Sequence, residues 1–183
     1  MLRTFACITM IVCVASCLLA AQDAPRAEVF GGYQYFRAST GLGLSGFDHF
    51  NLNGWNASVS GYFGKYVGVT GDFGGAYGTP KVLIIGVSTK VHTFMAGPVV
   101  RFPNSSKVTP FAHALFGGGN LSVGVLGFGV GSTDFTWAAG GGADMSLNKL
   151  FAVRVAQVDF LQTRFGGFQQ NNFRYSAGLV IKF

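Results

Sequence analysis

Seven ionisable side chains carry most of the chemistry this sequence offers: Glu28, Asp72, Arg101, Asp144, Arg154, Arg174 and Lys182. Each stands at an alternate position of a segment whose intervening positions are largely apolar. By parity all seven point to the interior that those segments enclose. Charges withdrawn from water need partners, so the first expectation is a structural salt-bridge network. A gate or a narrow water path is the functional alternative. A catalytic carboxylate pair stands as a third reading, with no motif behind it. The histidines add little. His49, His92 and His113 have no metal-ligand spacing, and none sits in a nucleophile box. No catalytic, cofactor-binding or metal-ligating residue is assigned, and no cofactor is expected. The run Gly127-Phe128-Gly129-Val130-Gly131 lacks the βαβ context of a nucleotide loop and reads as glycine-rich strand.

The elements that must position these charges are strands. The clearest spans residues 172–183. Phe173, Tyr175, Ala177, Leu179, Ile181 and Phe183 form one apolar row; Asn172, Arg174, Ser176, Gly178, Val180 and Lys182 form the other. Strict alternation means a strand with two unlike faces. Aromatics near both ends of the apolar row, with aliphatics between, match the outward face of a membrane barrel strand. An ordinary sandwich strand is the competing reading.

Composition narrows the class. Only 11% of the 183 residues are charged, against roughly a quarter in soluble domains. Beyond residue 21 no apolar run reaches the ~18 residues of a membrane helix. A chain that crosses a membrane without helices must close its strands into a barrel, because every backbone N–H and C=O has to pair inside the hydrocarbon. The net charge of +6 comes from basic residues scattered singly, which argues against nucleic acid.

Residues 1–21 read as an export signal: Arg3 supplies the positive start, residues 5–19 the apolar stretch, and Ala20-Ala21 the small residues for cleavage. Two alternatives stand beside it. Val14-Ala15-Ser16-Cys17 looks like the box before a lipidated cysteine, and the segment could remain as an anchor helix. All three cysteines lie here, so residues 22–183, a single domain, carry no disulfide framework.

Lys65, Lys107 and Lys149 stand 42 residues apart, each in a short turn-like stretch. A 42-residue period fits strand, long loop, strand, short turn, and four such units make eight strands. The expected strands are residues 27–37, 53–63, 66–77, 89–102, 108–117, 134–145, 151–163 and 172–183. Loop one is expected over residues 38–52 and loop four over residues 164–171. Pro98 implies a bulge or bend in strand four. Strand seven keeps no single parity: Arg154 wants the interior on one count, Gln157 and Asp159 on the other. A bulge near Ala156 would reconcile them; a rim position for Gln157 and Asp159 would serve as well.

The stretches Glu28-Val29-Phe30-Gly31-Gly32-Tyr33, Phe94-Met95-Ala96-Gly97-Pro98 and residues 171–183 give the chain its resemblance to the small outer-membrane β-barrel family. It is similar to the eight-stranded transmembrane domain of OmpA, an outer membrane protein beta-barrel domain. The resemblance implies an all-β fold, an eight-stranded antiparallel transmembrane barrel with short periplasmic turns and longer extracellular loops. It implies location in the outer membrane of a diderm bacterium, contact with outer-membrane lipid, and recognition by the outer-membrane assembly machinery through the terminal strand, with Tyr175 and Phe183 as the signal. OmpA carries a second, peptidoglycan-binding domain; the sequence ends at Phe183, so that role is not expected.

Two of the expected loops are unusually apolar. Loop two holds Val82, Leu83, Ile84 and Ile85; loop three holds Leu121, Val123, Val125 and Phe128. Either the strands continue above the membrane as a sheet whose edge can recruit a partner, or the loops fold over the mouth and line an apolar entry. The expected function is a monomeric, non-enzymatic envelope protein with a structural or surface-interaction role. A narrow porin-like channel, or one similar to the OmpW-like barrels associated with hydrophobic solutes, is the alternative. A lipid-modifying barrel enzyme is the third, against which stands the lack of a His-x-Ser signature.

Overall fold

The computed structural model describes residues 26–39, 49–79, 81–82, 85–86, 88–125, 128–165 and 168–183. Ten strands follow in chain order: β1 (Ala27–Ser39), β2 (His49–Tyr62), β3 (Val67–Gly78), β4 (Lys81–Val82), β5 (Ile85–Gly86), β6 (Ser88–Arg101), β7 (Val108–Val125), β8 (Phe128–Ser146), β9 (Phe151–Phe165) and β10 (Phe168–Lys182). Eight of them close an antiparallel barrel in the order β1-β10-β9-β8-β7-β6-β3-β2. β4 and β5 pair only with each other, as a short ribbon between β3 and β6. The export segment expected over residues 1–21 lies outside the described residues.

Alternation explains the closure. On β1 the even positions Glu28, Phe30, Gln34 and Phe36 are buried, while Val29, Tyr33 and Tyr35 are exposed. The seam is made by β1 against β10, from Glu28↔Lys182 to Arg37↔Phe173. Backbone bonds from Arg26 N to Phe183 O (2.7 Å) and from Phe183 N to Ala27 O (2.8 Å) finish it.

The three lysines of the 42-residue period each fall in a short turn, between β2 and β3, β6 and β7, and β8 and β9. Gly64 takes φ +147° in the first of these turns, a conformation in which a Cβ would be strained. These turns and the β10/β1 seam define one end of the barrel, the turn end; the other is the hairpin end.

Several sequence expectations need correction. Loop one does not run to Leu52, because β2 begins at His49 and pairs with β1 as far as Ser39. Loop four does not span residues 164–171, because β9 and β10 stay paired out to Phe165↔Phe168. Loop three is mostly strand: β7 has 18 residues and β8 has 19, and they pair out to Val125↔Phe128. Pro98 causes no register shift. The β6–β7 ladder skips Gly97 and Pro98 and resumes in the same register, from Ala96↔Phe116 to Val99↔His113. Proline deprives the ladder of one donor, and the strand passes over the gap.

The parity break in β9 is a bulge. Ala143 pairs with Ala156, yet Asp144 pairs with Arg154. Against β10, Ser176 pairs with Gln157 and Gly178 with Arg154. One extra residue at this point turns Arg154, Gln157 and Asp159 all into the buried interior.

The outward face is a membrane surface. Tyr35, Tyr33, Trp55, Tyr77, Phe73, Phe94, Phe116, Trp137, Phe160, Phe173 and Tyr175 form a belt on all eight barrel strands. Phe63, Tyr66, Phe102, Phe151 and Phe183 stand exposed at the turn end. Between the two girdles the outward positions are small or aliphatic, such as Ala57, Val59, Val69, Ala112, Val155 and Leu179. This is the banding of a strand wall that meets lipid.

Candidate functional site in the barrel lumen

The interior divides into a charged half and an apolar half. At the turn end Arg101 donates from Nη1 to Glu28 Oε1 at 3.0 Å. It also donates from Nε to the backbone oxygen of Lys65 at 2.9 Å, tying β6 to the β2–β3 turn. Its guanidinium lies 3.7 Å over the Tyr62 ring, and Tyr62 donates its own hydroxyl to Glu28. Arg154 forms a fork on Asp144, Nε to Oδ1 at 2.8 Å and Nη2 to Oδ2 at 2.9 Å. Phe30 and Phe111 flank that guanidinium at 4.4 and 4.1 Å. Planar cations held between rings and carboxylates lose little by burial, which favours arginine over lysine here.

Deeper in, Arg174 makes a strut across the barrel. From β10 it donates through Nη1 to Asp72 of β3 at 2.6 Å and through Nε to Asp159 of β9 at 2.8 Å. Its Nη2 lies 2.7 Å from the same Asp159 oxygen but off the hydrogen-bond line, so Nε carries that bond. Asp159 is shared further. Its Oδ1 lies 2.7 Å from His113 Nε2, while Gln157 donates to Oδ2, the oxygen that Arg174 holds, at 2.8 Å. Gln157 in turn accepts from Arg154 at 2.7 Å, so Arg154 and Arg174 belong to one connected network. Glycine makes the room: a Cβ on Gly140 would run into the Asp159 carboxylate, and one on Gly142 would lie 2.9 Å from the Phe111 ring.

Towards the hairpin end the interior becomes apolar. Phe36, Ala38, Leu52, Ala76, Val91, Met95, Leu115, Ala138 and Leu161 form one buried cluster, with Phe50 and Leu121 packed against it. Leu52, Leu115 and Leu161 have no exposure. A cavity of about 10 Å³ remains between Ser58, Asp72, His113 and Arg154, on the scale of a single water. Eight strands enclose a bore just wide enough for side chains to fill, and here they fill it.

The structure places six of the seven predicted charges, Glu28, Asp72, Arg101, Asp144, Arg154 and Arg174, in buried ion pairs. Lys182 is the correction. It lies half-buried at the turn end, where its Nζ donates to Ser146 Oγ at 2.7 Å rather than to a carboxylate. Three members lie outside the seven assigned residues: Asp159 and Gln157, whose conflicting parity the bulge resolves, and His113, for which the sequence offers no partner. The parity of β7 points His113 inward, but nothing in the sequence says that Asp159 would lie opposite. Tyr175 and Phe183 both face outward.

Of the predicted loop surface, Leu121 packs on the apolar cluster rather than standing free. Val123 is half-buried and paired with Val130. Val82 and Ile85 pair with each other, and Val125 pairs with Phe128 at the tip of the β7–β8 hairpin. Leu83 and Ile84 lie outside the described residues. Among the described residues no group of three or more His, Cys, Asp or Glu side chains is placed to hold a metal.

A closed wall with lipid-type banding and a lumen of paired charges defines a small membrane-spanning barrel. The chain belongs to the family described as outer membrane protein beta-barrel domain, whose sequence model matches residues 5–183. Among solved structures it is similar to Neisserial surface protein A, with a TM-score of 0.72 and 15% identity, covering 88% of this chain and 100% of that one. It is also similar to Ail, the attachment invasion locus protein of Yersinia pestis, with a TM-score of 0.59 and 18% identity over 86% and 99% of the two chains. The N-terminal barrel domain of Pseudomonas aeruginosa OprF matches with a TM-score of 0.59 and 10% identity over 88% and 100%. At these identities the likeness is one of fold. No curated protein matches the chain.

Proposed function

We propose that this protein is a monomeric, non-enzymatic barrel of the outer membrane that holds a β-sheet outward for contact with a surface partner, and that it does not conduct. The observation that carries the reading is the contrast between a filled lumen and an extended hairpin end. The lumen is blocked by the apolar cluster around Leu52, Leu115 and Leu161. Towards the hairpin end β7 and β8 stay paired out to Val125↔Phe128, with β6 beside β7 as far as Ser88↔Gly124 and β3 beside β6 as far as Gly78↔Thr89. From Gly117 to Val125 this sheet projects roughly 25 Å along the strand. Pairing of β8 with β9 begins only at Thr136. Residues 128–135 therefore present an edge with no neighbouring strand among the described residues. Unpaired edges are sites of strand addition.

In this reading the short turns face the periplasm and the hairpin end faces out. Tyr175 and Phe183 on the lipid face of the last strand serve assembly. A cysteine placed at exposed Ser132 should react with a membrane-impermeant maleimide on intact cells. One placed at Lys149 should react only after the outer membrane is opened. Equal labelling of both positions on intact cells would overturn the location, and labelling of the second alone would overturn the orientation.

A further inference from the structure

The side chains of the lysines that mark the 42-residue period have no part in the lumen ion pairs or in the projecting sheet. Lys65, Lys107 and Lys149 are all exposed in their turns. Each is bracketed by exposed apolar side chains: Phe63 and Tyr66 around the first, Phe102 and Val108 around the second, Leu147 and Leu150 around the third. The barrel order sets the three turns two strands apart around the wall. The fourth position of that ring is the β10/β1 seam, where Lys182 stands. The turn end thus carries a basic residue at each quarter of its circumference.

No acidic side chain among the described residues offsets them. Glu28 and Asp144 are near this end but point inward, where Arg101 and Arg154 hold them. Asp72 and Asp159 are buried on Arg174, and Asp134 is on the part of β8 that runs towards the hairpin end. Aromatic and leucine side chains seated at a membrane boundary, with lysines whose stems can lie along them, set the ammonium groups at headgroup depth. A ring of cations at that depth attracts anionic lipid.

We infer that the turn end is a binding surface for anionic phospholipid headgroups, with Lys65, Lys107 and Lys149 as its contacts in the leaflet that meets the short turns. The inference rests on the membrane reading proposed above and adds the headgroup class. The test uses the full chain folded into nanodiscs of equimolar phosphatidylcholine and phosphatidylglycerol, with retained lipid counted by native mass spectrometry. The wild type should retain phosphatidylglycerol preferentially, by about fivefold for each lysine engaged. The triple variant Lys65→Gln/Lys107→Gln/Lys149→Gln should fall towards equal retention while keeping the heat-dependent gel mobility of a folded barrel. Lysine-to-arginine replacements at the same positions should restore the preference. Equal retention by the wild type overturns the inference, as does an unchanged preference in the triple variant. Loss of the preference on Arg37→Gln/Lys90→Gln/Arg164→Gln instead overturns it too, by moving the site to the opposite rim. A wild-type chain that will not enter the bilayer fails the membrane reading itself.

Discussion

Replacing Arg174 with leucine should cost the barrel about 3–5 kcal/mol, the penalty for leaving buried charge without its partner. The guanidinium has no solvent exposure on its side chain, and the two carboxylates it joins, Asp72 and Asp159, are nearly or fully buried. Leucine would leave two carboxylates facing each other's field inside the wall, with His113 and Gln157 as the remaining partners of Asp159 and Asn56 as that of Asp72. Removing all three charges together should hurt far less, because a buried ion pair replaced as a unit is often close to neutral. The triple variant Asp72→Asn/Asp159→Asn/Arg174→Leu should therefore recover more than half of the loss. Urea unfolding followed by the fluorescence of Trp55 and Trp137 reads both values. A single-variant cost under about 1 kcal/mol would show that the strut carries no structural weight.

The second large effect belongs to the outer wall. Leu179 faces outward at 58% exposure, midway between Tyr175 and Phe183 on β10. On a water-facing surface Leu179→Arg would change stability by less than about 0.5 kcal/mol. On a lipid-facing wall it should cost roughly 2–4 kcal/mol. Asn171→Arg, on the same face but beyond the aromatic belt, should cost no more than about 1 kcal/mol. The comparison is made in vesicles, by the denaturant midpoint of each variant against the wild type. Equal costs at the two positions would mean that the exposed aliphatic band does not sit in hydrocarbon.

Much of this architecture was legible because a barrel strand repeats every two residues. Parity alone turned Glu28, Asp72, Arg101, Asp144 and Arg174 inward, and the three turn lysines fixed the strand count. What parity cannot supply is which inward charges meet. Arg174 and Asp72 lie 102 residues apart and join across the lumen only because closure brings β3 and β10 round the same bore. Nor can alternation carry across a bulge. The inserted residue beside Ala156 shifts the count by one, so Asp159 stayed undecided until both neighbours of β9 fixed its register.

The projecting sheet was legible only as one of two alternatives, for a different reason. Gly117, Gly118 and Gly119 interrupt the apolar row of β7, and glycine has no side chain with which to mark a face. The ladder continues through them, because pairing with β6 and β8 uses backbone groups alone. The apolar seal had no local signal either. Leu52, Leu115 and Leu161 come from three strands and become neighbours only in the closed barrel.

The central claim is that this lumen is sealed, with ion pairs towards the turn end and an apolar cluster towards the hairpin end. Conductance of the purified protein in a planar lipid bilayer tests it most directly. The account predicts no single-channel steps from the wild type. Stepwise currents that shift when Arg101 or Arg174 is neutralised would contradict it and make the charged network the lining of a pore.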